Sequence, residues 1–454
     1  MSHLVDRLWR PVDIASLVAF RIAFGALALV AVLRHVAYGW VDQFFIAPQV
    51  FFPYPGFEWI QPLPAAGMYA LYGGLALSGL GILLGAWTRA SAALFCLGFT
   101  YAHLIDRSNY LNHYYLISML SGLLVVLPSG RAFSLDSWRR GEGADTAVPR
   151  WTVDVLRFQL AVVYVFGAVA KVNADWLLDA EPLRIWLGAN VDLPLLGPWL
   201  EQSWVAFAFS YAGLLFDASI VPLLLWSRTR ALAYVAVLAF HLLTALLFPI
   251  GMFPWLMIAL TPVFFAPDWP RALLARINGR SIAPDPRALV AIERSSLCQW
   301  TVVAALGLYA LVQVVVPLRH LVYAGDLYWS ESGFRWSWQI MVMEKFGRAV
   351  FTVADPATGA RYTVRPLDEL TALQYRMLAT QPDMLLTYAH RLRDRYASPG
   401  RPVRVFADVT VTLNGRPAAP LVDPAIDLAA LQEGAPPSAW LLPHPDAQRQ
   451  LAAR

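Results

Sequence analysis

Two lysines, Lys171 and Lys345, serve the whole 454-residue chain, and the rest of its 35 Lys+Arg cations are arginine. Lys171 closes an apolar run and is followed by Val172-Asn173-Ala174-Asp175-Trp176. Arginine keeps its proton in a protein, whereas a lysine withdrawn from water can surrender one near neutral pH and act as a base. The competing reading is an interfacial lysine, stem in lipid and ammonium among headgroups. Asn112 and His113 open another apolar run. An amide beside an imidazole supplies hydrogen-bond donors for an oxygen that gains negative charge. His320 and the aromatic stretch Phe334-Arg335-Trp336-Ser337-Trp338 follow the last apolar run.

These residues need a membrane scaffold. The chain is 58% hydrophobic and 15% charged, against about 45–50% and about 25% for a soluble domain. A mean hydropathy of +0.50 fits a polytopic α-helical membrane protein with a smaller water-facing part. The 13% aromatic content excludes a disordered chain, and only two cysteines, Cys96 and Cys298, exclude a disulfide framework. Nine apolar runs are predicted to span: 14–37, 66–87, 90–105, 111–127, 153–172, 204–226, 231–248, 253–265 and 297–318. The first is too long for a cleavable signal peptide and lacks a small-residue cleavage site. Arginine clusters fall in alternate loops, at residues 7–10, 89, 131–150, 228–230 and 271–294, while the opposite loops hold only Arg107 and Arg184. The arginine-rich set is therefore expected in the cytoplasm with the N-terminus. An odd number of spans puts everything after Leu318 outside, most simply in the periplasm of a bacterial inner membrane.

Residues 1–318 thus read as the helical domain and 319–433 as an extracytoplasmic α+β domain. In the latter, short strand patterns lie at 350–353, 362–364 and 403–413, with amphipathic helices over 367–396. Asn414-Gly415 closes a hairpin. Residues 434–454, rich in Pro and Ala, are expected to be a flexible tail.

Charge in hydrocarbon marks function or a structural pair. Arg21 and Asp217 lie mid-span, as a buried ion pair or with separate partners that fix the helix packing, or as the lining of a cofactor cavity. Asp154 and Arg157 begin the fifth span. His241 in the seventh is open to both a packing and a site role. On topology alone Asn112, His113, Lys171, His320 and the aromatic stretch share one side of the membrane.

At Asn112-His113, Lys171 to Trp176 and Phe248-Pro249-Ile250-Gly251-Met252-Phe253 the sequence resembles the vitamin K-dependent γ-glutamyl carboxylase family, which in bacteria overlaps the HTTM-domain proteins. Pro267-Asp268-Trp269-Pro270, Gly333 to Trp338 with Met341-Val342, and Val405 to Val409 with Asp423-Pro424 extend the likeness over most of the chain. The resemblance implies the family's chemistry. Reduced vitamin K is deprotonated and reacts with O2 to a strong base. That base takes a γ-proton from glutamate, and the carbanion adds CO2, leaving vitamin K epoxide and γ-carboxyglutamate. It implies Lys171 as the catalytic base, with His113 and Asn112 beside it. Arg21, His241, Met252 and Trp338 are the expected contacts to the quinol, and His320, Phe334 and Trp336 the expected substrate-side residues. Phe334 stands where the animal enzymes have tyrosine, their cysteine bridge has no counterpart, and the sequence is shorter at its C-terminal end, so propeptide recognition is not expected.

Three functions follow for testing: carboxylation of a glutamate-containing peptide driven by quinol epoxidation, epoxidation of menaquinol-type quinols without carboxylation, and a non-catalytic scaffold or lipid-binding protein. The expected partners are membrane lipids, a quinol and a glutamyl peptide or protein. Eight scattered histidines show no metal-ligand spacing. The arginines follow loop sidedness rather than a stripe for nucleic acid, and no paired broken helices suggest a transporter.

Overall fold

The computed structural model describes residues 2–141, 147–279 and 295–444. A helix stands at each apolar run: α1 (Ala15–Ala37), α2 (Ala65–Leu84), α3 (Thr88–Leu104), α4 (Asn112–Val126), α5 (Trp151–Ala170), α6 (Ser203–Leu225), α7 (Arg230–Leu247), α8 (Phe253–Leu260) and α9 (Ser296–Leu318). Six of them, α1, α2, α5, α6, α7 and α9, are long and apolar enough to cross a bilayer. Of the nine expected spans these six are shown by length and composition, and α3, α4 and α8 are shorter helices at the other three runs. At 1.5 Å per residue α4 covers about 22 Å and α3 about 25 Å, short of a hydrocarbon layer about 30 Å thick. α8 is shorter still and runs on only as the turn Thr261–Phe264. Arg280, Arg287 and Arg294, used above for sidedness, lie outside the described residues.

Small residues let the helices close up. A Cβ on Gly25 of α1 would sit 2.4 Å from the Leu83 backbone nitrogen of α2. Backbones that approach so closely gain dispersion contacts, the main packing force where lipid is as apolar as the core. Strands β1 (Pro11–Asp13) and β2 (Ala147–Pro149) pair antiparallel and tie the start of α1 to the start of α5.

The extracytoplasmic part is an antiparallel sheet of order β4-β3-β5-β6, built from β3 (Lys345–Ala354), β4 (Arg361–Val364), β5 (Arg404–Leu413) and β6 (Ala419–Pro420). Its two long strands run in register from Lys345 opposite Leu413 to Ala354 opposite Arg404. Alternation buries Ala349, Phe351 and Val353 with Val405, Ala407, Val409 and Val411 on one face. Helices α10 (Ala372–Leu378) and α11 (Pro382–Tyr396) cover that face with Leu378, Met384, Leu385, Tyr388 and Leu392.

Polar groups bolt this domain to the bundle. Arg107 donates to Pro53 O at 2.9 Å, Asp383 O at 3.0 Å and Thr387 Oγ1 at 2.6 Å. Arg335 reaches Asp383 Oδ2 at 2.6 Å. Burial pushes the Asp383 carboxyl up, but Arg335 and Arg107 outweigh it and hold it at about 2. At a second point Asn414 Nδ2 donates to Asp175 at 2.7 Å, joined by the Arg416 guanidinium. Burial raises the Asp175 carboxyl and these donors bring it below its usual range.

The supposed tail is partly structural. Trp440 is 3% exposed, Leu442 N donates to Leu421 O at 2.9 Å, and Trp329 Nε1 donates to Leu442 O at 2.8 Å. Apolar surface on Trp440 and Leu441 overrides the Pro/Ala composition and seats 434–444 on the domain. Residues 445–454 lie outside the described residues.

Candidate active site

Lys171 follows the last turn of α5, and its side chain folds back into the bundle rather than out to lipid. Nζ lies 2.7 Å from Asp217 Oδ2 on α6 and donates to Gly167 O at 3.2 Å. Both side chains are nearly dry, 7% and 10% exposed. The Trp176 ring lies 5.2 Å from the amine. Its indole is fixed by Nε1 donating to Ser210 O at 2.9 Å.

Gly167, four residues before Lys171 and on the same helix face, makes room for the pair: a Cβ there would lie 3.1 Å from Asp217 Oδ2. A Cβ on Gly213, four residues before Asp217, would meet Lys171 Cε at an ordinary 3.9 Å. The pair faces a cavity of about 70 Å³ walled by Tyr164, Phe240, His241, Phe248 and Phe253. His241 Nε2 meets Tyr164 Oη at 3.1 Å, and its Nδ1 has no partner among the described residues.

A larger cavity of about 560 Å³ holds Asn112, His113 and Met252, with Trp40, Tyr110 and Phe44 in its walls. His113 is 8% exposed, its ring 4.8 Å from Tyr114, and it makes no protein hydrogen bond among the described residues. Gly251, at φ +63°, passes beside it where a Cβ would come within 3.6 Å of the imidazole. Asn112 is engaged at both ends of its amide: Oδ1 accepts from Tyr110 Oη at 2.9 Å and Nδ2 donates to Gln339 O at 3.2 Å. Burial pushes the Tyr110 phenol far above its ordinary range, so it stays a donor. Its oxygen also accepts from Trp336 N at 2.6 Å.

Ile250, Phe253, Ile340 and Met341 line both cavities and form the partition between them. Two of the four belong to a strap that links α9 to the sheet. Within it Trp336, Trp338 and Met341 have φ of 61°, 55° and 54°, a region costly for residues with a Cβ.

The structure therefore gathers Lys171 and His241 on one side of the partition, and Asn112, His113 and Met252 on the other. The remaining expected residues are elsewhere. Arg21 does not pair with Asp217 and lines neither cavity. Its Nη1 donates to Ser129 O at 2.9 Å and its Nη2 to Phe133 O at 2.7 Å, satisfying carbonyls left over beyond α4. Trp338 is fully buried against Tyr115, rings 5.1 Å apart, and is a strap anchor rather than a quinol contact. Trp336 stacks on Tyr54 at 5.5 Å beneath Arg319. His320 Nδ1 is tied to Pro317 O at 2.8 Å, and the Phe334 carbonyl accepts from Ser337 Oγ. None of these last three lines either cavity. Sequence reasoning missed the Asp217 partnership, Gly167, Gly213, Trp176, Tyr110 and the Ile340-Met341 partition.

Residues 9–269 match the HTTM domain family, and residues 298–447 match the family described as vitamin K-dependent gamma-carboxylase, lumenal domain. The chain belongs to the vitamin K-dependent gamma-carboxylase family. Its two matched segments coincide with the helical bundle and the sheet-bearing domain, so the protein is a membrane protein with an extracytoplasmic domain. No solved structure matches it. The carboxylase family implies a vitamin K cofactor. The larger cavity fits that group: its walls are mainly aromatic and aliphatic, and it contains a single imidazole unbonded to protein. Among the described residues of this carboxylase-family chain no three His, Cys, Asp or Glu side chains gather as metal ligands.

Proposed function

We propose that the chain carboxylates glutamate side chains at the expense of reduced vitamin K, with the Lys171–Asp217 pair as its proton acceptor. The observation that carries this is the dry ion pair itself, 2.7 Å long and set at the edge of an apolar cavity. Amine and carboxylate together carry no net charge with the shared proton on either side, and with that proton on Asp217 the Lys171 amine is the base. Taking up one further proton leaves a lysine ammonium beside a neutral acid. With water kept out by Trp176, Phe240 and Phe248, that proton comes from a reactant in the larger cavity, across the partition of Ile250, Phe253, Ile340 and Met341.

When bound, reduced vitamin K supplies the oxygen-driven removal of the glutamate γ-proton that lets CO2 add. His113 offers a hydrogen bond to an oxygen in the larger cavity. Asn112 positions the strap through Gln339 O, and its second N–H remains for the donor role first expected. Arg34 and Arg376, from α1 and α10, lie on the wall of the same cavity and supply cations for an incoming carboxylate. The arginine-rich loops support a cytoplasmic N-terminus in a bacterial inner membrane, with glutamyl substrate arriving from the sheet-domain side.

The test is the purified protein in lipid nanodiscs with reduced vitamin K, O2, labelled CO2 and a glutamyl peptide. Quinone epoxide and labelled peptide are expected together, and both are lost in Lys171→Arg, which keeps a cation but not a base. Epoxide without label would limit the function to quinol oxygenation. An unchanged Lys171→Arg variant would refute the proton-acceptor role.

A further inference from the structure

The end of the bundle remote from the sheet domain carries a cleft of about 310 Å³ that the carboxylation chemistry does not use. Arg10, Arg150, Arg157 and Arg230 line it, with Phe265 and Pro267. It lies where β1, the start of α5 and the turn between α6 and α7 meet. Of its four guanidiniums, two pair with one carboxylate. Asp154 takes Arg150 Nε and Arg157 Nη1, both at 3.0 Å. The neighbouring Asp13 is occupied by Arg271 at 2.9 Å.

Arg157 and Arg230 are not loose surface cations. Arg157 Nε and Nη2 donate to Val263 O at 2.8 Å and Phe265 O at 2.7 Å. Arg230 Nε and Nη2 donate to Leu224 O at 2.7 Å and Leu225 O at 3.0 Å, carbonyls at the C-terminal end of α6. That fixes two forks and leaves Arg230 Nη1, both Nη of Arg150 and the whole Arg10 guanidinium without acceptors among the described residues. Donors held in place beside an excess of positive charge suit a phosphate, which takes several charge-assisted hydrogen bonds at once.

The surroundings say where the phosphate comes from. Trp226, Leu225 and Leu232 beside the cleft are 56%, 54% and 75% exposed, on helices whose outer faces are apolar. Exposed tryptophan next to arginine marks the lipid–water boundary, and basic pockets between helices at that level receive anionic headgroups. We propose that this cleft binds the phosphate of an anionic phospholipid, with Arg10, Arg150 and Arg230 as its donors and the acyl chains lying along α6 and α7.

The experiment compares the full chain in nanodiscs of phosphatidylcholine alone, of phosphatidylcholine with phosphatidylglycerol, and of phosphatidylcholine with added inorganic phosphate. Native mass spectrometry counts retained lipid and thermal unfolding reports stabilisation. Phosphatidylglycerol should be retained and should raise Tm, while inorganic phosphate should not. Arg10→Gln, whose side chain has no protein partner to lose, should fold normally and retain about tenfold less phosphatidylglycerol. Arg230→Gln should show the same loss with a lower Tm of its own. Equal retention of both lipids by the wild type, undiminished retention by Arg10→Gln, or full stabilisation by inorganic phosphate would each overturn the assignment.

Discussion

Gly167→Ala separates the stability of the helix from the geometry of the proton acceptor. Gly167 lies within α5, where alanine is favoured over glycine by about 1 kcal/mol. Its new Cβ would stand 3.1 Å from Asp217 Oδ2, tighter than most real contacts, so the carboxylate must retreat by a few tenths of an ångström. The Lys171–Asp217 contact then opens from 2.7 Å to about 3.0 Å. With an effective dielectric of about 20, the attraction falls from about 6.1 to about 5.5 kcal/mol, a loss of about 0.6 kcal/mol or threefold in an equilibrium. Misplacement of a reacting group adds to that, and a tenth of the wild-type rate is a reasonable floor for so small a shift. The variant should therefore unfold at or slightly above the wild-type temperature while forming quinone epoxide about 3–10-fold more slowly. A fully active Gly167→Ala would show that the position of the Asp217 carboxylate does not govern the chemistry. A large fall in Tm would show that α5 and α6 cannot yield there at all.

Asp217→Asn leaves a buried ammonium without its counter-charge and should cost about 3–5 kcal/mol in chemical denaturation. Lys171→Met combined with Asp217→Leu should recover most of that stability and none of the activity. Asn112→Ala removes the bond to Gln339 O that tethers the strap and the acceptor that orients Tyr110 Oη beneath Trp336 N, and should cost about 1–3 kcal/mol and speed amide exchange over 336–341. Asp383 is held at about 2 by Arg335 and Arg107. Its contribution to domain docking is therefore complete above the unfolded carboxyl value near 4 and is lost as pH falls towards 2. Because that side chain is 44% exposed, the loss should stay below about 1 kcal/mol. Proteolysis at the junction between bundle and sheet domain, measured against pH, should show it.

Lys171 was legible because the sequence spends arginine almost everywhere else, and Asn112-His113 because polar residues open an apolar run. Helix positions and the alternating strands β3 and β5 follow directly from hydrophobic period. Asp217 was visible as an intramembrane charge, but its partner was not. The sequence separation of 46 from Lys171 says nothing of which faces of α5 and α6 meet. The paired spacing of Gly167 to Lys171 and Gly213 to Asp217 was the available signal, and it becomes persuasive only once the helices are adjacent. Separate packing partners for Arg21 were among the readings the sequence left open, and it could not choose between them for a related reason. Hydropathy reports that a charge is buried but not that loop carbonyls from Ser129 and Phe133 have come to meet it. Residues 434–444 show the opposite failure, composition suggesting a frayed end where one tryptophan suffices to seat it.

The strap between α9 and the sheet has a consequence for how inside and outside communicate. Ile340 and Met341 are continuous through Val342 to β3, yet they also separate the amine from the imidazole. The wall between the two cavities is thus covalently continuous with the sheet, so a displacement of β3 would be felt first at Ile340 and Met341.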